Sequence, residues 1–84
     1  MSRVRIYTMR WCGYCHRAKD LLDRQGIAYE EMGLDGDPSF RTHLMDVAGQ
    51  WTVPAILIDG RPIGGYTELV HLLRDGRLDE LLAA

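Results

Sequence analysis

The sequence predicts an α/β fold with one mixed four-stranded sheet covered by helices, in the order β-α-β-α-β-β-α. Three observations predict it. A period-two run near the start gives way to helical spacing and then to a second strand-like segment, which marks a parallel crossover. Two short apolar runs flank Asp59-Gly60, a dipeptide suited to a tight hairpin because both central positions take positive φ. The 84 residues, 46% of them hydrophobic, supply one small core, so a single domain over 1–84 is expected.

Taken in order, Val4, Ile6 and Thr8 alternate with Arg3, Arg5 and Tyr7 as a first strand that ends just before Cys12. Ala18, Leu21 and Leu22 then recur at helical spacing, and Gly26 offers a stop, which predicts a helix over 13–25. Residues 27–32 return to a strand. Asp37 offers an N-cap with Pro38 at the first helical position, opening a second helix that turns Phe40, Leu44, Met45 and Val47 inward and stops near Gly49. Runs 54–58 and 61–63 form the hairpin. Gly64-Gly65 breaks the pattern, Leu69, Val70, Leu72 and Leu73 mark a third helix closed by Asp75-Gly76, and Leu78, Leu81 and Leu82 fit one further short helical turn. Crossover handedness and short connections leave few ways to assemble these pieces.

Charge and hydropathy exclude whole classes of function. Ten basic against twelve acidic residues give a net charge of −2 with no block of like charges, so nucleic acid is not an expected partner. The longest apolar run, 54–58, falls far short of the ~20 residues that cross a bilayer, and Arg3 and Arg5 precede no long apolar stretch. No membrane partner is expected, and the expected state is a cytoplasmic monomer.

The two cysteines, Cys12 and Cys15, stand in one Cys-x-x-Cys, a spacing that points to redox chemistry or a metal. Cys12 falls where a strand ends and a helix begins, where unpaired N–H groups and the positive end of the helix dipole favour a thiolate. Cys15 lies three residues on, within reach of a disulfide. Arg10 adds a nearby positive charge and Trp11 is placed to shield one side of the sulfur. Cys12 is thus the expected nucleophile and Cys15 the resolving thiol. Three other readings stay open. Cys12 to His16 matches the Cys-x-x-Cys-His of c-type haem attachment; His43 and His71, on separate helices, are the remaining candidates for a zinc set; and the pair could pack as inert apolar residues.

The string Ile6-Tyr7-Thr8, Trp11-Cys12-Gly13-Tyr14-Cys15, Ala18-Lys19, Thr52-Val53-Pro54 and Ile63-Gly64-Gly65 resembles the glutaredoxins over essentially the whole chain. The resemblance implies a thioredoxin-like fold, glutathione as reducing co-substrate and a cis peptide bond before Pro54. A cis X-Pro turn presents the backbone of Val53 opposite the cysteines, where an extended glutathionyl chain pairs like an added strand. By the same likeness Thr52 and Pro54 belong to that loop, Tyr14 flanks the glutathione sulfur, and Gly65, Tyr66 and Thr67 receive the γ-glutamyl end at the start of a helix. Gln50 is a candidate for the glycine carboxylate. Thr67 would otherwise serve only as a cap, and Thr52 only as a strand end.

Departures from the family pattern bear on specificity. Met9 stands where a Lys is usual, three residues before the first cysteine, with Arg10 one place nearer. Gly13 replaces the motif proline, which frees one backbone N–H. Tyr66, Thr67 and Glu68 stand where Cys-Asp-Asp is common, and the motif is also similar to that of mycoredoxins. The expected activity is a glutathione-dependent thiol-disulfide oxidoreductase that reduces protein disulfides and glutathione mixed disulfides. The alternatives are a [2Fe-2S] carrier that ligates the cluster through Cys12 and glutathione in a dimer, and a redoxin served by mycothiol or by thioredoxin reductase, with Trp51 as a docking residue.

Overall fold

A computed structural model describes residues 2–83. Its elements are β1 (Val4–Thr8), α1 (Gly13–Arg24), β2 (Tyr29–Gly33), α2 (Phe40–Ala48), β3 (Ala55–Ile58), β4 (Arg61–Gly64), α3 (Tyr66–Arg74) and α4 (Arg77–Ala83). The strands form one sheet in the order β2-β1-β3-β4, with β1 parallel to β2 and antiparallel to β3, and with β3 antiparallel to β4. This is the mixed four-stranded sheet the sequence predicts. The last apolar run forms a helix of its own, α4.

Helices cover both faces. Val4, Ile6, Ile56 and Ile58 on one face pack with Ala18 and Leu22 of α1, Leu69 of α3 and Leu78 of α4. Tyr7, Ala55 and Leu57 on the other pack with Leu34 and with Leu44 and Ala48 of α2. A strand buried on both faces reads as a continuous apolar run, and all four residues of β3 are buried. The same covering explains Tyr7, which alternates with apolar Val4 and Ile6 in the sequence yet is itself buried. The sheet edges are polar by contrast. β2 carries Glu30 and Glu31, and β4 carries Arg61 and Pro62 on an exposed stretch.

Turn chemistry fixes the joins. Asp59 and Gly60 take φ of 52° and 80°, as the tight hairpin requires. Past α1, Gly26 N–H donates to the Asp23 carbonyl and Ile27 N–H to that of Leu22, a left-handed C-terminal closure with Ile27 packed on the core beside Leu22. The start of α2 differs from expectation. Asp37 accepts the N–H of Ser39 through its side chain, closing a turn over Pro38, and the helix begins at Phe40 with Ser39 as its N-cap. A short acceptor two residues upstream favours that local turn over a helical cap.

One guanidinium joins the hairpin to α4. Arg3 donates to both carboxylate oxygens of Asp59, at 2.9 and 2.7 Å, and to the carbonyls of Leu81 and Leu82 at 2.8 and 2.6 Å. The hydrogen bond from Arg3, then its charge, holds the Asp59 carboxyl below its ordinary range. A depressed carboxyl contributes stability that is fully present above its unfolded value, ~3.9, and is lost as pH falls through its folded one. Arg3→Met should therefore lower the urea midpoint at neutral pH, and its deficit should narrow below about pH 4 to what the carbonyl contacts contribute. Urea titrations at several pH values check this.

Candidate active site

The end of β1 and the start of α1 set the two sulfurs. Cys12 N–H closes a turn onto the Met9 carbonyl at 3.1 Å, and Cys12 becomes the N-cap of α1 in an extended conformation. Its sulfur accepts the N–H of Cys15 at 3.1 Å and, as a thiol, donates to the Val53 carbonyl at 3.6 Å. Both cysteines are free. Cys12 is 5% exposed and Cys15 fully enclosed, so even Cys12 lies deeper than a bare helix start suggests. The Cys15 thiol is pushed up to about 12, first by burial and then by its neighbour Cys12, against the opposing pull of the Met9 backbone and Lys19.

Beside Cys12 runs a groove of about 370 Å³ lined by Tyr14, Gln50, Thr52, Val53, Pro54, Gly65, Tyr66, Thr67 and Glu68. The Val53-Pro54 bond is cis, as the resemblance implies. Three contacts give the groove its shape. Gln50 donates through Nε2 to the carbonyls of Thr52 and Pro54, at 2.7 and 3.1 Å, bracing the loop. Gly65 comes so near that a Cβ there would lie 3.3 Å from the Pro54 carbonyl oxygen. Tyr14 meets Tyr66 across the groove, ring centroids 5.9 Å apart, and the Arg17 guanidinium lies 5.3 Å from the Tyr14 ring centroid.

Two residues named from the sequence are engaged by partners within the chain. The backbone N–H of Arg10 donates to the Asp35 carboxylate, its guanidinium lies 4.0 Å from that carboxylate on a side chain 91% exposed, and it lines a separate recess rather than the groove. The adjacent acidic loop, out of reach of local sequence reading, draws it there. Gln50 lines the groove as expected, and its amide Nε2 donates to the carbonyls of its own loop. Trp11 stands 70% exposed and so gives the sulfur little cover. Met9, in the place of a usual Lys, packs against the cluster around Tyr7 and Leu44.

One groove residue, Glu68, was assigned no site role from the sequence. Glu68 accepts the N–H of Gly65 at 2.7 Å and locks the entry to α3. Its signal was an acidic residue three positions after a helix cap, obscured because the cap is a glycine. Gly64 makes room for it: φ is +111°, and a Cβ would fall 2.6 Å from Glu68 Cγ.

Comparison with known proteins agrees with this geometry. The Glutaredoxin family profile matches residues 4–63. The chain belongs to the glutaredoxin family. It is 48% identical over 84 residues to a glutaredoxin of Pseudomonas aeruginosa, covering all of both chains. It is 44% identical over 82 residues to glutaredoxin 3 of Escherichia coli K12, covering 98% of this chain and 99% of that one. The fold superposes on a crystal structure of a buckwheat glutaredoxin-glutathione complex with a TM-score of 0.87 at 33% identity, covering 98% of this chain and 77% of that one. Glutaredoxin of Brucella melitensis gives 0.82 at 39% identity, with coverage of 98% and 89%. The fold is thus the thioredoxin fold, and family membership resolves the readings of the cysteine pair in favour of thiol-disulfide oxidoreduction. Among the described residues, no helix is long and apolar enough to cross a membrane.

The glycines give a paired test. Gly64→Ala forces an unfavourable φ and a clash, and should cost at least about 1–3 kcal/mol; Gly13→Ala, where a Cβ meets nothing within 4 Å, should change stability by less than about 1 kcal/mol. Urea unfolding of the two variants checks the contrast.

Proposed function

We propose that this glutaredoxin uses glutathione to reduce protein disulfides and glutathione mixed disulfides through Cys12 and Cys15. One observation carries the reading: the Cys12 sulfur sits between the Cys15 N–H and the Val53 carbonyl, beside a groove walled by the cis-proline loop and the start of α3. A sulfur so placed meets a disulfide presented by a chain lying along that loop. A bound glutathione extends along the Val53 backbone like an added strand, with Tyr14 beside its sulfur and its γ-glutamyl carboxylate at the helix start. Because Glu68 already occupies the Gly65 N–H, the groups that serve that carboxylate are the N–H groups of Tyr66 and Thr67. The chain acts as a monomer in the cytoplasm, and its macromolecular partners are proteins with disulfide or glutathionylated cysteines.

The chemistry is two thiol-disulfide exchanges. With a glutathionylated protein, the Cys12 thiolate attacks the glutathione sulfur; that S–S bond breaks, and the protein thiolate leaves and takes a proton. A second glutathione, as thiolate, attacks the adduct on Cys12, releasing oxidised glutathione and restoring the thiol. With a protein disulfide, Cys12 forms a mixed disulfide with the target, Cys15 attacks Cys12, and the target leaves reduced; two glutathione molecules then reduce the Cys12-Cys15 bond.

Separate variants distinguish the two routes. Cys15→Ser should retain turnover of glutathionylated substrates while losing two-cysteine disulfide reduction, and Cys12→Ser should abolish both. Assays on each substrate type, with glutathione, mycothiol or thioredoxin reductase supplied in turn and mass spectrometry for a one-glutathione adduct on Cys12, check this. A Cys15→Ser protein inactive on mixed disulfides and without the adduct would overturn the reading. Brown protein from anaerobic purification would instead favour a [2Fe-2S] cluster held by Cys12 and glutathione between two subunits.

A further inference from the structure

We propose that Lys19 is a positioning residue for Cys15: its ammonium group, held by the Glu31 carboxylate that Thr8 also binds, supplies positive charge one helical turn from the sulfur that closes the Cys12-Cys15 bond. Lys19 follows Cys15 by four residues in α1, and side chains so spaced are neighbours on one face. Its Nζ donates to Glu31 Oε2 at 3.0 Å, and the Thr8 hydroxyl donates to that same oxygen at 2.6 Å. The three residues link α1, β2 and β1 and line a recess that shares no lining residue with the glutathione groove. This assignment rests on the two-cysteine route proposed above.

Closure needs Cys15 as a thiolate. Its sulfur attacks the Cys12 sulfur, a Cys12-Cys15 bond forms, the bond from Cys12 to the target breaks, and the target sulfur leaves with the electron pair and takes a proton from water. Burial opposes that thiolate, and so does Cys12 while it is free. Once Cys12 is tied up in a mixed disulfide, burial remains, opposed by the Met9 backbone and by Lys19. Substitution can remove only the second of these. The charges around Lys19 are accounted for: Glu31 faces it from β2, Tyr29 lies near on the same strand, and Cys15 and His16 lie on its own helix. In the same recess Asp35 is engaged with Arg10, and the His16 ring is engaged with the Arg10 carbonyl. The hydrogen bond from Thr8, then that from Lys19, keeps the Glu31 carboxyl below its ordinary range, and Glu31 raises Lys19, so both stay charged at neutral pH.

Removing an opposite charge one helical turn away lowers the thiolate population, and the greater basicity of the sulfur restores part of the rate, leaving a loss of up to roughly threefold. Mixing the reduced protein with dithiobis-nitrobenzoate in a stopped-flow instrument reads this step. One coloured thiolate is released as Cys12 is loaded and a second as Cys15 displaces it; Cys15→Ser lacks the second. The second release should slow by up to about threefold in Lys19→Met, stay near the wild-type rate in Lys19→Arg, and not slow in Glu31→Gln, which keeps an acceptor for Lys19 while removing the opposing charge. An unchanged second release in Lys19→Met, equal slowing in Lys19→Met and Lys19→Arg, or equal slowing of both releases would overturn the proposal. The reagent requires no glutathione recognition. Charge-dependent closure in a protein that glutathione cannot reduce would thus overturn the donor assignment and leave the role of Lys19 standing, whereas no second release would overturn the two-cysteine route and the role of Lys19 with it.

Discussion

The geometry around the Cys12 sulfur is the constraint on which the other parts of the site depend. An N–H of Cys15 comes from one side and the Val53 carbonyl from the other, and Val53 lies 41 residues from Cys12 in the chain. Holding them together requires β1 and β3 to pair in register, since β1 delivers Cys12 and β3 follows the cis-proline loop. It also requires both faces of that central pair to be sealed, which the clusters around Ile6 and Ile56 and around Tyr7 and Leu57 provide. The site is therefore a product of the core, and loosening either cluster would act on the sulfur through the sheet.

The two thiols differ in their surroundings. Cys12 touches a carbonyl at the edge of the groove, while Cys15 lies one turn inside the helix with no exposed surface. Such depth protects the second sulfur from stray partners and raises its thiol to about 12, so it reacts when a bonded sulfur is brought to it. The arrangement suits a step that must follow another rather than compete with it.

Local signals made much of the fold legible. Asp59-Gly60, Gly26 and the apolar spacing of α1 and α3 each act through neighbours in the chain, and each forms the expected turn or helix. The cysteine pair and most of the groove were legible too, because Thr52-Val53-Pro54 and Gly64-Gly65 are compact motifs. What escaped was decided by partners distant in sequence or by competition among short side chains. Arg10 has Asp35, and Asp37 closes a turn instead of capping α2. Tyr7 reads as the polar side of a strand until α2 is seen to cover it.

The polar sheet edges carry a consequence for how this molecule behaves among its own copies. A groove that offers backbone to an extended chain invites strand addition, and unguarded edges on β2 or β4 would extend the same invitation to any neighbouring strand. Glu30 and Glu31, ion-paired to Arg5 and Lys19 on opposite faces of the strand, keep one margin polar, and Pro62 removes a backbone donor from the other. Promiscuous pairing is discouraged at both margins, so a protein whose task is to receive foreign peptide backbone is guarded against aggregating through its own.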